Sequence, residues 1–221
     1  MSAQKDLLKP RKPGRPRGSK PKADNREQLI DIALRLFSQQ GIARTSLNAI
    51  AREAGVTPAM LHYYFNSREQ LLDVMIEERF LPLRAEITRV FGEYPDSPVT
   101  ALSEMVRTLA RIAAQHEWFA PLWMQEVIGE MPILRQHLHA RFGEEKYHAT
   151  LEMVKRWQKE GKVNPNLSAE LLFTTLLSLV LVPFSRMRND ERLMMLTPEV
   201  IVSNALAVLL QGIGPGQLSA G

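Results

Sequence analysis

Residues 42–65 read IARTSLNAIAREAGVTPAMLHYYF, and this stretch decides the fold of the N-terminal part of the chain. It contains two short helical segments separated by Ala54, Gly55 and Val56. Glycine tolerates the backbone conformation that a sharp turn needs, and the small side chain of Ala51 lets two helices cross closely. Two short helices joined in this way are typical of a helix-turn-helix motif.

Hydroxyl side chains mark where these helices begin. Thr45 or Ser46 is expected to cap the first helix and Thr57 the second, because a hydroxyl oxygen accepts hydrogen bonds from the free N–H groups of a first helical turn. Pro58 fits the first position of the second helix, where no N–H is needed. The positions predicted to be buried recur at helical spacing and are Leu47, Ile50, Ala51, Ala54, Val56, Leu61 and Phe65.

Further helices flank the motif on both sides. Residues 25–40 carry apolar side chains at three- and four-residue intervals and end before Gly41, which predicts an amphipathic first helix. Ser67 with Gln70 three positions later is a capping box, which predicts a fourth helix. The apolar positions of these two helices are Leu29, Ile32, Ala33, Leu36, Phe37, Leu71, Leu72, Met75 and Ile76.

The exposed positions of the helix that follows Thr57 decide between two interpretations. A three-helix bundle that served only folding would expose Glu, Lys or Gln there. These positions instead hold short, neutral or aromatic side chains, which suit close approach to base edges and thymine methyl groups, while hydroxyl and imidazole groups can donate to phosphate oxygens. This composition favours DNA binding, and the residues concerned are Thr57, Ala59, Met60, His62 and Tyr63.

Residues 42–57, 61–65 and 67–72 together resemble the DNA-binding domain of the TetR family of transcriptional regulators, and the resemblance extends over roughly residues 25–72. It implies an all-α fold, in which an N-terminal three-helix helix-turn-helix domain precedes a C-terminal helical domain for ligand binding and dimerisation. It also implies that the third helix enters the major groove. With Tyr63 of the exposed face, the residues assigned to DNA are Ser46, Asn48, Thr57, Pro58, Ala59, Met60, His62, Tyr63, Tyr64 and Arg68.

One detail departs from the family pattern. His62, Tyr63 and Tyr64 stand where the family commonly has Tyr-Tyr-His or Tyr-Trp-His, so the hydrogen-bond donors are exchanged in order. By motif position, the resemblance places residues 57–60 nearest the bases and turns His62 and Tyr64 toward phosphates. Ser46, Asn48 and Arg68 match further backbone or base contacts.

The first 22 residues contain eight basic residues against one acidic residue, a net charge of +7, which leaves −3 for the rest of a chain whose total is +4. Such asymmetry favours an electrostatic contact with a polyanion, although a solvated tail that keeps the protein soluble has the same composition. Pro13-Gly14-Arg15-Pro16-Arg17-Gly18 is similar to an AT-hook, whose Gly-Arg-Pro centre lies in the minor groove of A·T-rich DNA. We therefore expect Arg15 and Arg17 to contact a minor groove.

Changes in composition predict four parts of the chain. They are a flexible basic arm over residues 1–23, the helix-turn-helix domain over 24–72, the helical C-terminal domain over 73–212 and a flexible tail over 213–221. No strand-like alternation competes with the helical pattern. Helix breaks are expected at Pro82, residues 94–98, Pro121, Pro132 and residues 161–165.

Aromatic and sulfur-containing side chains gather in the middle of the C-terminal domain. The resemblance implies a small-molecule pocket there, and the mixture of apolar and polar candidates slightly favours an amphipathic or aromatic effector. For any single residue, filling the core is the better explanation, because an apolar stripe at helical spacing needs no ligand. The candidate pocket residues are Met105, Leu109, Trp118, Phe119, Trp123, Glu126, Val127 and His148.

The last two predicted helices carry the signal for self-association. Ser168 can cap a helix that is apolar on nearly every side, and Pro198 starts a final helix that ends at Gly212. The apolar surface left over suits pairing with a second copy in a four-helix interface, as the resemblance implies, whereas a buried hairpin within a monomer is the alternative. A two-fold dimer fits a palindromic operator.

The sequence lacks the residues that several other classes of function need. The chain has no cysteine, which excludes thiolate sites, and His137 and His139 lack the four-residue spacing of a zinc helix, so we expect no metal and no cofactor. No secretory signal and no run of about 18 uninterrupted apolar residues are visible, so we expect a cytoplasmic protein with no membrane contact. A Gly-rich phosphate loop and a Gly-x-Ser-x-Gly motif are both missing, which argues against an enzyme.

These patterns together predict a homodimeric repressor that binds double-stranded DNA and that a small-molecule effector releases. An architectural DNA-binding dimer without ligand response is one alternative, and an all-helical enzyme is the rival from another class. Activation in place of repression is compatible with the same residues.

Overall fold

The computed structural model describes residues 22–128, 133–187 and 190–213. Over these ranges the chain is helical and contains no strand, which confirms the predicted all-α class. The basic arm with Arg15 and Arg17, and residues 214–221 of the tail, lie outside the described residues. In chain order the elements are α1 (Lys22–Gln40), α2 (Leu47–Glu53), α3 (Pro58–Tyr64), α4 (Arg68–Met75), a first π turn (Ile76–Phe80), α5 (Leu81–Glu93), α6 (Pro98–Gln115), α7 (Phe119–Trp123), a second π turn (Met124–Ile128), α8 (Ile133–Lys159), α9 (Ala169–Arg186) and α10 (Pro198–Ile213).

Helix α1 begins at Lys22, three residues before the predicted start, so residues 22 and 23 belong to a helix and not to the arm. At the other end, the N–H of Gly41 donates to the carbonyl of Phe37 at 2.9 Å, and Gly41 takes a φ of +83°. This confirms the predicted helix end, because glycine reaches that conformation without steric cost.

The turn between α2 and α3 is a Schellman motif centred on Gly55, whose φ is +65°. The N–H of Gly55 donates to the carbonyl of Arg52 at 3.1 Å, and the N–H of Val56 donates to the carbonyl of Ala51 at 3.0 Å. These two bonds satisfy carbonyls that the end of α2 would otherwise leave unpaired. The sharp turn predicted at residues 54–56 is therefore confirmed in its geometry.

Side-chain caps open three of the helices. The hydroxyl oxygens of Ser46, Thr57 and Ser67 each accept a hydrogen bond from the backbone N–H three residues further on, at 3.1, 3.2 and 3.1 Å respectively. Each cap satisfies one of the free donors of a first helical turn. The predicted starts of α2, α3 and α4 are thus confirmed.

Two predicted caps differ in detail. Thr45 is buried and does not cap α2, because its hydroxyl donates to the carbonyl of Gly41 at 2.8 Å. The capping box at Ser67 is only half formed, since the side-chain oxygen of Gln70 accepts from the N–H of Asn66 at 2.8 Å and not from that of Ser67. Both side chains still satisfy backbone groups within one turn of the predicted position.

Pro82 does not break the chain as predicted, because a π turn accommodates it. In the first π turn the N–H of Leu81 donates to the carbonyl of Ile76, five residues back, and α4, the turn and α5 follow one another without a gap. The wider turn places Pro82 at the start of α5, where a missing N–H is tolerated. The predicted domain boundary at residues 72 and 73 therefore falls inside a continuous helical segment.

The remaining predicted breaks are mostly in place. Residues 94–97 separate α5 from α6, and residues 160–168 separate α8 from α9. The break expected at Pro121 comes earlier, over residues 116–118, and Pro121 itself lies in the first turn of α7, where proline is tolerated. Pro132 lies outside the described residues.

One hydrophobic core runs through both parts of the chain. Helix α6 lies at its centre and packs against α5, α9 and α10, while α1 packs against α7 and so joins the N-terminal domain to the C-terminal one. The inner face of α6 carries four buried side chains at helical spacing. They are Leu102, Met105, Leu109 and Ile112.

Helix α9 is long and apolar enough, by length and composition, to cross a membrane. The core helix of a soluble protein passes the same test, and Leu172, Leu176 and Val180 of α9 are buried against the rest of the core. Ser168 precedes the helix but does not cap it as predicted, because its hydroxyl donates to the carboxylate of Glu170 at 2.8 Å.

Candidate nucleic-acid interface

Helix α3 presents one face to solvent and buries the other. Leu61 and Phe65 on its inner face are fully buried and fix the helix to the N-terminal core. Its outer face carries the predicted contact residues. Of these, Thr57, Pro58, Ala59, His62 and Tyr63 are exposed, and Met60 is half-buried.

The two tyrosines at the end of α3 lie in different environments. Tyr63 is a large side chain of this helix, and 69% of it is exposed. Tyr64 is half-buried and packs against the core, with its ring 6.4 Å from that of Phe65. The two tyrosine rings meet edge to face at a centroid distance of 5.3 Å, a favoured aromatic geometry that orients Tyr63 outward.

Ser46 and Asn48 lie at the start of α2, and both are exposed. Ser46 and Thr57 hold the first turns of α2 and α3 through their cap bonds, and a hydroxyl that accepts a bond can also donate one. The starts of both helices therefore combine exposed polar side chains with free backbone N–H groups. Such groups bind phosphate oxygens.

Arg68 is used inside the protein in a way that the resemblance did not indicate. Its Nη1 donates to the carbonyl oxygens of Ile42 at 3.3 Å and Ala43 at 3.5 Å, and the side chain is half-buried. The guanidinium thereby ties the start of α4 to the turn between α1 and α2. Arginine has five N–H donors in all.

Ion pairs fasten α1 to the first π turn. Arg26 donates from Nη1 and Nη2 to the carboxylate of Glu78 at 2.7 and 2.6 Å, and Arg79 pairs with Glu27 and Asp31. The hydrogen bonds that Arg26 donates to Glu78 hold the pKa of Glu78 below its ordinary value, and the same bonds raise the pKa of Arg26. This charge cluster joins the N-terminal domain to the continuous helix that leads into the C-terminal one.

The structure brings part of the predicted effector pocket together. The rings of Trp118, Phe119 and Trp123 form a chain with centroid distances of 5.8 and 5.9 Å, and Phe80 adds a ring 5.2 Å from Trp118. These aromatic side chains form one cluster, and Phe80 is a member that the sequence did not predict. Ring contacts alone are what a well-filled core also shows.

The other predicted pocket residues lie apart from an open cavity. Met105 and Leu109 are buried within α6, Glu126 is buried in the second π turn, and His148 is exposed on α8. The side chain of Val127 lies outside the described residues. The predicted residues thus divide between a filled core, a buried carboxylate and a surface position.

An open cleft of about 1160 Å³ separates α1 from the corner between α6 and α7. Trp118 is the predicted pocket residue that lines it, and Gln125 and Ser38 line it as well. The side-chain Nε2 of Gln125 donates to the backbone carbonyl of Ser38 at 3.0 Å and so connects the two sides. The sequence pattern had no signal for this pair, because one partner is a backbone group in another domain.

The last two helices leave apolar side chains exposed. Ile201, Ala205 and Leu209 of α10 are buried. The apolar positions of α9 and α10 that remain largely exposed are Leu171, Val200, Val208 and Leu210.

The fold and this surface define an all-helical protein whose N-terminal helix-turn-helix exposes its third helix. Residues 29–75 match the family of bacterial regulatory proteins named tetR. The match covers the helix-turn-helix and the helices that flank it, and the relatives that share this part of the sequence are transcriptional regulators.

Known proteins resemble this chain in sequence and in fold. The regulator BetI of Rhizobium meliloti (strain 1021) is 36% identical over 102 residues, which are 43% of this chain and 45% of that protein. The nicotine-responsive repressor HdnoR of Paenarthrobacter nicotinovorans is 33% identical over 113 residues, 51% of each chain. The chain spans about half the length of the curated relatives it matches. The ketosteroid regulator KstR2 of Mycobacterium tuberculosis is 19% identical, covers 86% of this chain and 94% of its own, and shares the fold with a TM-score of 0.61.

Proposed function

We propose that this protein is a sequence-specific, DNA-binding transcriptional repressor that acts in the cytoplasm as a homodimer and that a small-molecule effector releases from its operator. The observation that carries the proposal is the outer face of α3. Exposed Ala59, His62 and Tyr63 stand on a short helix whose inner face is fully buried and whose start is capped. A helix so anchored presents small and aromatic groups to a major groove with little loss of entropy.

The contacts with DNA follow from this placement. Residues 57–60 approach base edges, while His62, Tyr63 and Tyr64 approach phosphates or the groove wall. Ser46 and Asn48 contact the backbone at the start of α2, and Arg68 has N–H donors beyond those that bind the turn. Such a division of labour lets phosphate contacts position the protein while α3 reads sequence.

The basic arm adds a minor-groove contact through Arg15 and Arg17. Its charge and its AT-hook-like motif support this part of the proposal. Removal of residues 1–21 keeps α1 complete, and we expect a shallower dependence of DNA affinity on salt together with a weaker preference for flanking A·T pairs. Equal slopes for both proteins in a fluorescence anisotropy titration over several salt concentrations would show that the arm makes no phosphate contacts.

The exposed apolar face of α9 and α10 supports a homodimer. Leu171 and Leu210 are 60% and 54% exposed, and burial of such side chains against a symmetry-related copy is the favourable outcome for an isolated apolar patch. A two-fold arrangement presents two copies of α3 to a palindromic operator. A cytoplasmic location follows from binding to chromosomal DNA.

The effector is proposed to be a small molecule with an aromatic or amphipathic body. The repressor HdnoR is named as nicotine-responsive, and this chain places an aromatic cluster beside the cleft that Trp118 lines. The proposed pocket residues remain Met105, Leu109, Trp118, Phe119, Trp123, Glu126, Val127 and His148. An effector can release DNA only to the extent that it binds the DNA-free conformation more tightly.

Selection of bound sequences from a random DNA pool tests the proposal. We expect a symmetric site whose half-sites lie about one helical turn apart. Addition of a metabolite library to the selected complex then tests effector release, which would separate a regulated repressor from an architectural dimer. A protein that enriches no sequence at moderate salt would refute sequence-specific binding.

A further inference from the structure

Glu126 is a buried carboxylate at the junction between the two domains. It belongs to the second π turn, and only 4% of its surface is exposed. Its Oε1 accepts a hydrogen bond from the backbone N–H of Ile42 at 2.7 Å, although 84 residues separate the two in sequence. A carboxyl group is costly to bury unless it is hydrogen-bonded. The bond to Ile42 therefore explains the burial of Glu126 better than the filling of space does.

The contact falls at the point where the chain leaves α1 for the helix-turn-helix. Gly41 closes α1, and Ile42 is the first residue of the turn that leads to α2. A Cβ atom on Gly41 would lie 3.5 Å from Oε1 of Glu126 and 3.6 Å from Oε1 of Gln125, so the second π turn touches this turn closely. The position of Ile42 therefore affects where α2 lies in space relative to the second π turn.

Both backbone polar groups of Ile42, its N–H and its carbonyl, are hydrogen-bonded to side chains. Arg68 donates to the carbonyl of Ile42, while Glu126 accepts from its N–H, so one residue bridges a side chain of the C-terminal domain and a side chain of α4. The bond from Gln125 to the carbonyl of Ser38 runs beside this bridge. Three directional bonds thus hold the backbone at Ser38 and Ile42, whereas apolar packing of Ile42 alone would resist separation without setting an orientation.

The second oxygen of Glu126 makes the arrangement more than a packing contact. Oε2 is buried and has no hydrogen-bond partner among the residues that the structure describes. A buried carboxyl oxygen without a hydrogen bond lowers the free energy of unfolding, so stability alone does not explain this side chain. Such a side chain can instead serve as a single acceptor that holds a neighbouring backbone N–H in one position.

We propose that Glu126 is a positioning residue for DNA recognition, which sets the orientation of α2 and α3 relative to the C-terminal domain through the N–H of Ile42. In a dimer joined by the C-terminal domains, this orientation sets the distance between the two copies of α3 and therefore the spacing between half-sites that the protein accepts. The inference rests on the proposed function.

The test compares operators whose half-sites are moved apart or together by one base pair. The site selected by the wild-type protein serves as the parent, and the readout is the ratio of affinities for the parent and the altered spacings. We expect Glu126→Leu, which keeps the volume and loses the acceptor, to reduce this ratio by about fivefold or more. Glu126→Gln keeps an oxygen that can accept from Ile42 and should retain most of the ratio.

Two controls separate orientation from stability. Val154→Ala removes a buried methyl pair from α8, away from Ile42, and should lower stability without changing the ratio. Gln125→Ala removes the hydrogen bond to the carbonyl of Ser38. Because Gln125 is exposed, this variant tests the same junction even if Glu126→Leu does not fold. It should also reduce the ratio.

The outcomes are distinct. If the wild-type protein selects no site, the proposed function fails and the inference falls with it. If the wild-type protein discriminates between spacings and both Glu126→Leu and Gln125→Ala discriminate equally well, the inference alone is wrong. A Val154→Ala protein that loses as much discrimination as Glu126→Leu, or a Glu126→Gln protein that shows no rescue, also overturns it.

Discussion

Single residues decide where the helices of the N-terminal domain start and stop. Ser46, Thr57 and Ser67 cap three helices through bonds to N–H groups three residues on, and Gly55 supplies the left-handed backbone between two of them. These interactions are local in sequence, so the composition of residues 42–67 was enough to predict them. The fold of the candidate DNA-reading element could therefore be inferred almost completely from residue types and spacing.

Gly55 gives a prediction at this scale. Replacement with alanine meets no neighbouring atom, but it forces a Cβ into a backbone with a φ of +65°, which costs about 1–2 kcal/mol. We expect Gly55→Ala to lower the free energy of unfolding by that amount in urea denaturation. The matched control is Gly92→Ala in α5, where a Cβ also has open space and the backbone is helical, and stability should rise slightly. Equal effects of the two substitutions would contradict the role of Gly55.

Whole elements were harder to predict than helix ends. Pro82 looks like a helix break in sequence, yet the first π turn carries the helix past it, because the wider turn removes the need for a donor at that position. The bond between Glu126 and Ile42 also left no trace in the sequence pattern, since its partners are 84 residues apart and one of them is a backbone group. Interactions of this kind depend on which elements pack against each other. The spacing of apolar residues predicts the buried face of a helix but not the partner of that face.

The ion pairs between α1 and the first π turn give a prediction for pH. Because Arg26 lowers the pKa of the folded Glu78 carboxylate, Glu78 contributes stability that is present above its ordinary pKa of 4.5 and is lost as the pH falls below it. We expect Glu78→Gln to melt below the wild-type protein at pH 7 and to approach it in Tm as the pH falls toward 3. Glu152→Gln, on the exposed surface of α8, is the control and should follow the wild-type curve. A gap between Glu78→Gln and the wild type that stays constant with pH would contradict this role.

At the scale of the whole molecule, two separate surfaces carry the two proposed functions. The exposed face of α3 is proposed to meet DNA, and the exposed apolar side chains of α9 and α10 are proposed to meet a second copy. The continuous helix from α4 to α5 and the junction at Glu126 connect these two surfaces. A change in one surface should therefore leave the other intact, while a change at the junction should alter how they cooperate.

Leu171→Glu tests the proposed dimer. A charge at a buried apolar interface is expected to weaken association about tenfold or more, which sedimentation velocity measures over a range of protein concentrations. Tyr63→Ala is the matched control, because it also removes an exposed apolar side chain, and it should leave the dimer intact while it weakens DNA binding. Dissociation of both variants, or of neither, would argue against an interface at α9 and α10.

The central claim is that the outer face of α3 reads bases, and a repeated selection from a random DNA pool with Ala59→Asn tests it most directly. Asparagine can bond an adenine through both its oxygen and its nitrogen, so we expect the preferred base to change at one position in each half-site, symmetrically, while the rest of the site is kept. The same substitution should leave affinity for non-specific DNA unchanged, because it adds no phosphate contact. Selection of an unaltered site by Ala59→Asn would contradict the claim.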